Sequence, residues 1–138
     1  MNVVLPKVSL GPITSASTSI QTVGTFMFTQ LQTVEEIVFD ARIFVAAPTA
    51  DAEGVATRAT VYRAVTTLLY TGGVFRFSPT MTVTTLHSGG SASYTLNPST
   101  PATLDFSSGA LRLRCTPNTA GSMQIYAFAE PIRIYGIP

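Results

Sequence analysis

From Ile37 to Val45 every odd position is apolar. Ile37, Phe39, Ala41, Ile43 and Val45 are apolar, while Asp40 and Arg42 fall between them. Side chains two apart share a face only when the backbone is extended, so this stretch predicts a half-buried strand and excludes a helix. The same period returns four times. Phe75 and Phe77 flank Arg76. Leu111, Leu113 and Cys115 alternate with Arg112 and Arg114. Ile125, Ala127 and Ala129 oppose Tyr126, Phe128 and Glu130, and Ile132 and Ile134 alternate with Arg133 and Tyr135. One dry face per strand predicts antiparallel sheets lying on a core. No window carries an i, i+3, i+4, i+7 apolar stripe. Thr and Ser make up 33 of the 138 residues, and Thr with Val, Ile, Phe and Tyr suits a pleated surface.

Turn residues separate these runs. Ala47–Gly54, Gly72-Gly73, His87–Ser91, Asn97–Pro101, Ser107–Gly109 and Pro117–Gly121 are the predicted reversals, and Gly72-Gly73 is the spacing of a tight hairpin. The strands predicted between them are 18–29, 34–46, 56–71, 74–86, 91–96, 102–106, 110–116, 122–130 and 131–136. Short strands at even spacing predict an all-β fold, an antiparallel β-sandwich that is jelly-roll-like. Residues 1–19 differ. They hold Pro6, Gly11, Pro12 and the run Thr14–Ser19, which predicts an extended N-terminal arm ahead of a sandwich domain over 20–138. At this length one core suffices without staples.

Composition narrows the chemistry. The chain has one cysteine and one histidine, so neither a disulfide framework nor a Cys/His metal cluster is expected. Cys115 sits among alternating apolar and charged residues and reads as a small buried hydrophobe; an unpaired thiol also fits assembly in a reducing cytoplasm. His87 lies at a strand end beside Ser88-Gly-Gly, with no nucleophile elbow anywhere in the chain; it reads as a solvated turn residue, and no catalytic residue is expected. Glu35 and Glu36 are neighbours and point to opposite faces of a strand. Asp51 and Glu53 lack the spaced ligand pattern of a calcium loop. No glycine loop opens a helix to cradle phosphate. No cofactor and no metal are therefore expected. Pro6 and Lys7 interrupt the apolar N-terminus, which predicts no export signal and synthesis in the cytoplasm. No stretch is long and apolar enough for a spanning helix, so no membrane partner is expected.

Charged residues are 11% of the chain and the net charge is +1, against about 25% charged in ordinary domains. Seven of the eight cations are arginines. Arg112 and Arg114, with Tyr62, Tyr126 or Tyr135 interleaved, have the residue types of a base-stacking platform. The net charge gives no field for nucleic acid, and arginine with Tyr, Phe and Met is the composition of a protein interface; no nucleic-acid partner is expected. Val38, Phe44, Tyr126, Phe128 and Tyr135 fall on the outer faces. A two-layer sandwich buries one face of each sheet, so apolar residues on both faces imply a second burial surface, most simply another subunit.

From about Val55 to Tyr135 the chain resembles the small β-sandwich modules of tailed-bacteriophage virion proteins found in tail fibres, head fibres and capsid decoration proteins. Ala59–Ala64 resembles their opening strand, Thr71–Val74 their hairpin, Ser108–Arg114 their small-x-Leu-x-Leu strand, Pro117–Gly121 their short turn and Met123–Ala129 their closing strand. The resemblance implies a non-enzymatic virion structural protein and a homo-oligomer, trimers being common among such appendages. It implies partners among other virion proteins such as capsid or tail subunits, held by the 1–19 arm. The alternative it implies is a carbohydrate-binding, receptor-binding module whose loops at 47–54, 87–91 and 97–101 touch host glycan.

Overall fold

The computed structural model describes residues 3–4, 7–27, 34–46, 59–77, 81–88, 94–107, 110–118 and 123–137. Among them every strand pairing is antiparallel and no helix longer than a single 3₁₀ turn occurs. The strands are β1 (Val3–Val4), β2 (Val8–Ser15), β3 (Gln21–Phe26), β4 (Val34–Ala46), β5 (Thr60–Thr71), β6 (Val74–Phe77), β7 (Thr82–His87), β8 (Ala102–Ser107), β9 (Ala110–Cys115) and β10 (Met123–Ile137). Seven form one sheet in the order β1-β10-β4-β5-β6, with β2 also on β10 and β7 also on β5; the other three form a sheet in the order β3-β9-β8.

The predicted alternation decides which side of each strand is dry. On β4 the odd residues from Ile37 to Val45 are wholly buried, and on β10 Met123, Ile125, Ala127 and Ala129 are as well. Leu111, Leu113 and Cys115 of β9 face them from the small sheet together with Ala102 and Leu104 of β8. The sheets meet ring on ring where Phe26 of β3 stacks on Phe39 of β4, centroids 4.9 Å apart. This is the all-β sandwich that the period-two pattern predicts.

Gly72 and Gly73 close the β5–β6 hairpin with φ of 60° and 81°, and Thr71 pairs directly with Val74. Positive φ at both loop residues matches the twist of the flanking strands. Val8–Ser15, within the segment expected to be an extended arm, is hydrogen-bonded along β10 and places Leu10 in the core. Its ladder shifts register where Ile13 faces Ile125 and Leu10 faces Ala127. Gly11 sits at that bulge with φ of 83°, and a Cβ there would lie 2.9 Å from the Ile125 carbonyl oxygen, so the bulge requires glycine.

Three expectations need correcting. The stretch expected as one strand over 74–86 holds two, β6 and β7, both paired to β5 at different heights. Residues 94–96 are a turn and an isolated bridge from Leu96 to Pro117, not part of a strand over 91–96. The segments 122–130 and 131–136 are one strand, β10, running through Pro131. Residues 47–54 lie outside the described residues, as do 28–29, 56–58, 91–93 and 119–122.

Candidate functional site

The outer face of the large sheet carries an aromatic cluster. Phe44 of β4 and Tyr126 of β10 are directly opposite in register, and their rings stack at 4.7 Å, 8° from parallel. Phe128, two residues along β10 and so on the same face, meets both rings edge-on, with centroids 5.9 Å from each. Edge-to-face contact with two fixed rings holds Phe128 in one orientation. It nonetheless stays 46% exposed.

The next rows along this face are charged. Register sets Phe128, Arg42 and Arg63 side by side, then Glu130, Asp40 and Val65. Arg63 donates to both Asp40 oxygens, from Nε at 3.1 Å and Nη2 at 2.8 Å, and Arg42 donates from Nη1 at 3.0 Å. The hydrogen bonds from Arg63, aided by the charges of Arg63 and Arg42, hold the Asp40 carboxyl below its ordinary range against the opposing effect of burial. Lys7 pairs with Glu130 at 2.9 Å. Lys7, Asp40, Arg42, Phe128 and Glu130 line a shallow recess of about 430 Å³. On the outer face of the small sheet Asp105 takes a bidentate pair from Arg112, both contacts at 2.7 Å, with Arg114 Nη1 at 3.7 Å. The Arg112 bonds lower the Asp105 pKa.

A second recess, of about 340 Å³, opens between β7 and the chain from 95 to 101. Its floor is Tyr62, whose hydroxyl accepts a hydrogen bond from the Leu96 N–H at 2.9 Å. Thr85, Asn97 and Asn118 line it with Pro98 and Pro101. Burial raises the Tyr62 pKa.

The residues weighed from the sequence are dispersed. His87 is exposed at the end of β7. Cys115 is fully buried, and loss of solvation pushes its thiol up to about 12. Tyr62 faces inward, Tyr126 faces out from the large sheet, and Arg112 and Arg114 face out from the small one, so the stacking platform is not assembled. Asp51, Glu53 and Arg58 lie outside the described residues, and the side chains of Glu35, Arg133 and Tyr135 are not described. Among the described residues no three His, Cys, Asp or Glu side chains gather as a metal site. Of the outer-face residues expected to be apolar, Phe44, Tyr126 and Phe128 form the cluster. Sequence reasoning missed the recess beside Tyr62, although Asn97-Pro-Ser does signal the turn that shapes one wall.

No protein-family model and no curated protein matches the sequence. Among solved structures, the tailspike protein of Acinetobacter baumannii phage AM24 has a TM-score of 0.50 at 13% identity, over 94% of this chain and 27% of that chain. The tailspike protein of Acinetobacter phage vB_ApiP_P1 has a TM-score of 0.36 at 14% identity, over 94% of this chain and 21% of that one. The chain therefore spans about a quarter of the length of the AM24 tailspike chain, and what the two share is the fold. No helix among the described residues is long and apolar enough to cross a membrane.

Proposed function

We propose that this chain is a non-enzymatic structural module of a bacteriophage virion that assembles as a homo-oligomer through the outer face of its large sheet. The observation carrying this reading is the Phe44–Tyr126–Phe128 cluster, which lies on the side of the sheet facing away from the core. A fully buried Phe contributes about 1.5–3 kcal/mol relative to an exposed one, and a partner seated on Phe128 recovers part of that in every copy. The fold likeness to part of a phage tailspike supports a place in the virion, as a fibre, tail or capsid-decoration component made in the host cytoplasm. In this reading residues 1–19 are the arm and 20–138 the sandwich body, and Val8–Ser15 anchors the arm to β10. Capsid or tail subunits are the remaining partners.

The test is sedimentation of the wild-type chain and of Phe128→Asp at micromolar concentration. The wild type is expected as an oligomer and the variant as a smaller species that keeps the wild-type strand signal in far-UV circular dichroism. A wild type that sediments as a monomer, or a variant with unaltered mass, overturns assembly through this face.

A further inference from the structure

β7 is an edge strand. It pairs with β5 along one side, and among the described residues no strand pairs with the other. Five of its six residues are exposed and Val83 is half-buried. Edges of this kind are normally guarded by charge, proline or a bulge. β6, the other strand on this side of β5, carries Arg76. Thr82–Thr85 holds no charge, proline or glycine. The bulge of the β5–β7 ladder falls beyond that stretch, where Leu86 stands unpaired between Thr85 and His87.

Register decides which backbone groups are left over. β5 pairs with β4 from Thr60 to Thr71 without a shift, so its residues alternate strictly between the strands on its two sides. Thr71 and Val74 flank the two-residue turn and form its closing hydrogen-bonded pair. Thr67, Val65 and Arg63, spaced by twos from Thr71, turn to the same side, and the last two face Thr82 and Thr84. The N–H and C=O groups of Thr82 and Thr84 are therefore spent on β5. Those of Val83 and Thr85 point the other way, along the open edge.

The side chains of the same two residues line the recess beside Tyr62. Residues directly opposite in an antiparallel ladder share a face. A strand bonded to Val83 and Thr85 therefore sends the side chains opposite them over the recess. Its volume of about 340 Å³ gives room for a large side chain. The far wall is already fixed. The Asn97 N–H donates to the Thr116 carbonyl at 2.8 Å, the Asn118 N–H donates to the Thr95 carbonyl at 2.9 Å, and Leu96 is tied to Tyr62 beneath. A receiving surface shaped in advance lowers the ordering cost of binding.

We propose that β7 and this recess together bind an extended segment of another protein, which adds antiparallel to Val83–Thr85 and seats a large side chain over Tyr62. The row of alternating N–H and C=O groups selects the occupant, because an extended backbone matches it group for group, while the recess selects the side chain. A second copy of β7 pairing about a two-fold axis would offer Val83 and Thr85 of that copy, short side chains that leave most of the recess empty. The site lies across β4 and β5 from Phe128 and does not depend on how copies assemble.

The probes are acetylated and amidated octapeptides that repeat Thr-X four times, with X as Tyr, Leu, Gln or Ala, titrated into the isotope-labelled wild-type chain. Hydrogen exchange is expected to slow at the Val83 and Thr85 amides on binding and to stay as it was at Thr82 and Thr84. The best of the Tyr, Leu and Gln peptides should bind about tenfold or more tighter than the Ala peptide, as burial of one large side chain implies. N-methylation of every X residue, whose N–H faces β7, should abolish binding, and N-methylation of every Thr should not. The proposal is overturned if no peptide protects Val83 and Thr85, if the Ala peptide binds as tightly as the others, or if both N-methylated series behave alike. Protection of the two amides that grows with chain concentration in the absence of peptide assigns the edge to a second copy and overturns it as well.

Discussion

Replacing Tyr62 by Phe deletes one oxygen atom and leaves one donor stranded. The Leu96 N–H gives its hydrogen bond to the Tyr62 hydroxyl at 2.9 Å. Leu96 is 3% exposed and Tyr62 7%, so little water can replace the lost acceptor. A buried donor left unpaired costs about 1–3 kcal/mol; the ring is kept, so no cavity cost is added. For a chain of this size that corresponds to a fall in Tm of roughly 3–15 °C. Tyr126→Phe is the control. That ring lies half-exposed on the outer face, and loss of its hydroxyl should stay within about 0.5 kcal/mol. Urea unfolding of both variants measures the difference, and hydrogen exchange at the Leu96 amide reports it locally as faster exchange in Tyr62→Phe alone. There is also a pH signature. The Tyr62 pKa is raised by burial, so the fold favours the neutral phenol. Stability from this group is complete below the ordinary tyrosine value of about 10 and is lost as pH rises through the raised value. The gap between wild type and Tyr62→Phe should therefore narrow above pH 10. If the two Tyr→Phe variants unfold at the same urea concentration, the hydroxyl does not hold the 94–101 segment and the reasoning fails.

Asp105 has a pKa lowered first by its Arg112 hydrogen bonds. Its contribution is present above the unfolded carboxylate value near 4 and is lost as pH falls through the lower folded value. Asp105→Asn should flatten the acid side of a Tm-against-pH curve below about pH 4 and leave the neutral side parallel to wild type. Gly73→Ala places a Cβ at φ of 81° in open space, so its cost is backbone strain alone, about 1–2 kcal/mol, readable by urea unfolding with no change in m-value. Cys115, wholly buried with its thiol at about 12, should react with a thiol reagent only at the rate of unfolding. Labelling that is fast in native buffer and insensitive to urea would contradict its placement.

How much of this was legible depended on how far apart the partners lie. β4 could be read in one pass because its face is decided by neighbours two residues away, and every odd residue from Ile37 to Val45 is buried as its pattern says. β5 was harder. Its inward residues include Thr60 and Thr66, buried to 1% and 9%, while Leu69 on the other side is 38% exposed. Threonine packs a methyl as readily as it shows a hydroxyl, so polarity did not mark the face, and Tyr62 passed for a surface aromatic. Val8–Ser15 showed no strand pattern at all. Its order comes from pairing with residues more than a hundred positions away, and its bulge at Gly11-Pro12 breaks the period. The recess beside Tyr62 was illegible for the same reason, since Tyr62, Thr85, Asn97 and Asn118 come to it from distant parts of the sequence.

The arginines show how register turns a loose compositional hint into a definite arrangement. Asp40 and Arg42 share a face by the alternation alone. Arg63 joins them because β4 and β5 pair Arg42 with Arg63, which would set two like charges side by side if Asp40 did not bridge them. Asp105 does the same for Arg112 and Arg114. Four of the seven arginines thus share two carboxylates within the chain, and Lys7 is matched to Glu130. The net charge of +1 is set by eight cations against seven acids; register is what places a carboxylate beside these four arginines. With those charges satisfied internally, Phe128 is the group on the large sheet's outer face with the most to gain from contact with another surface, and attraction there is short-ranged and apolar rather than steered by a field.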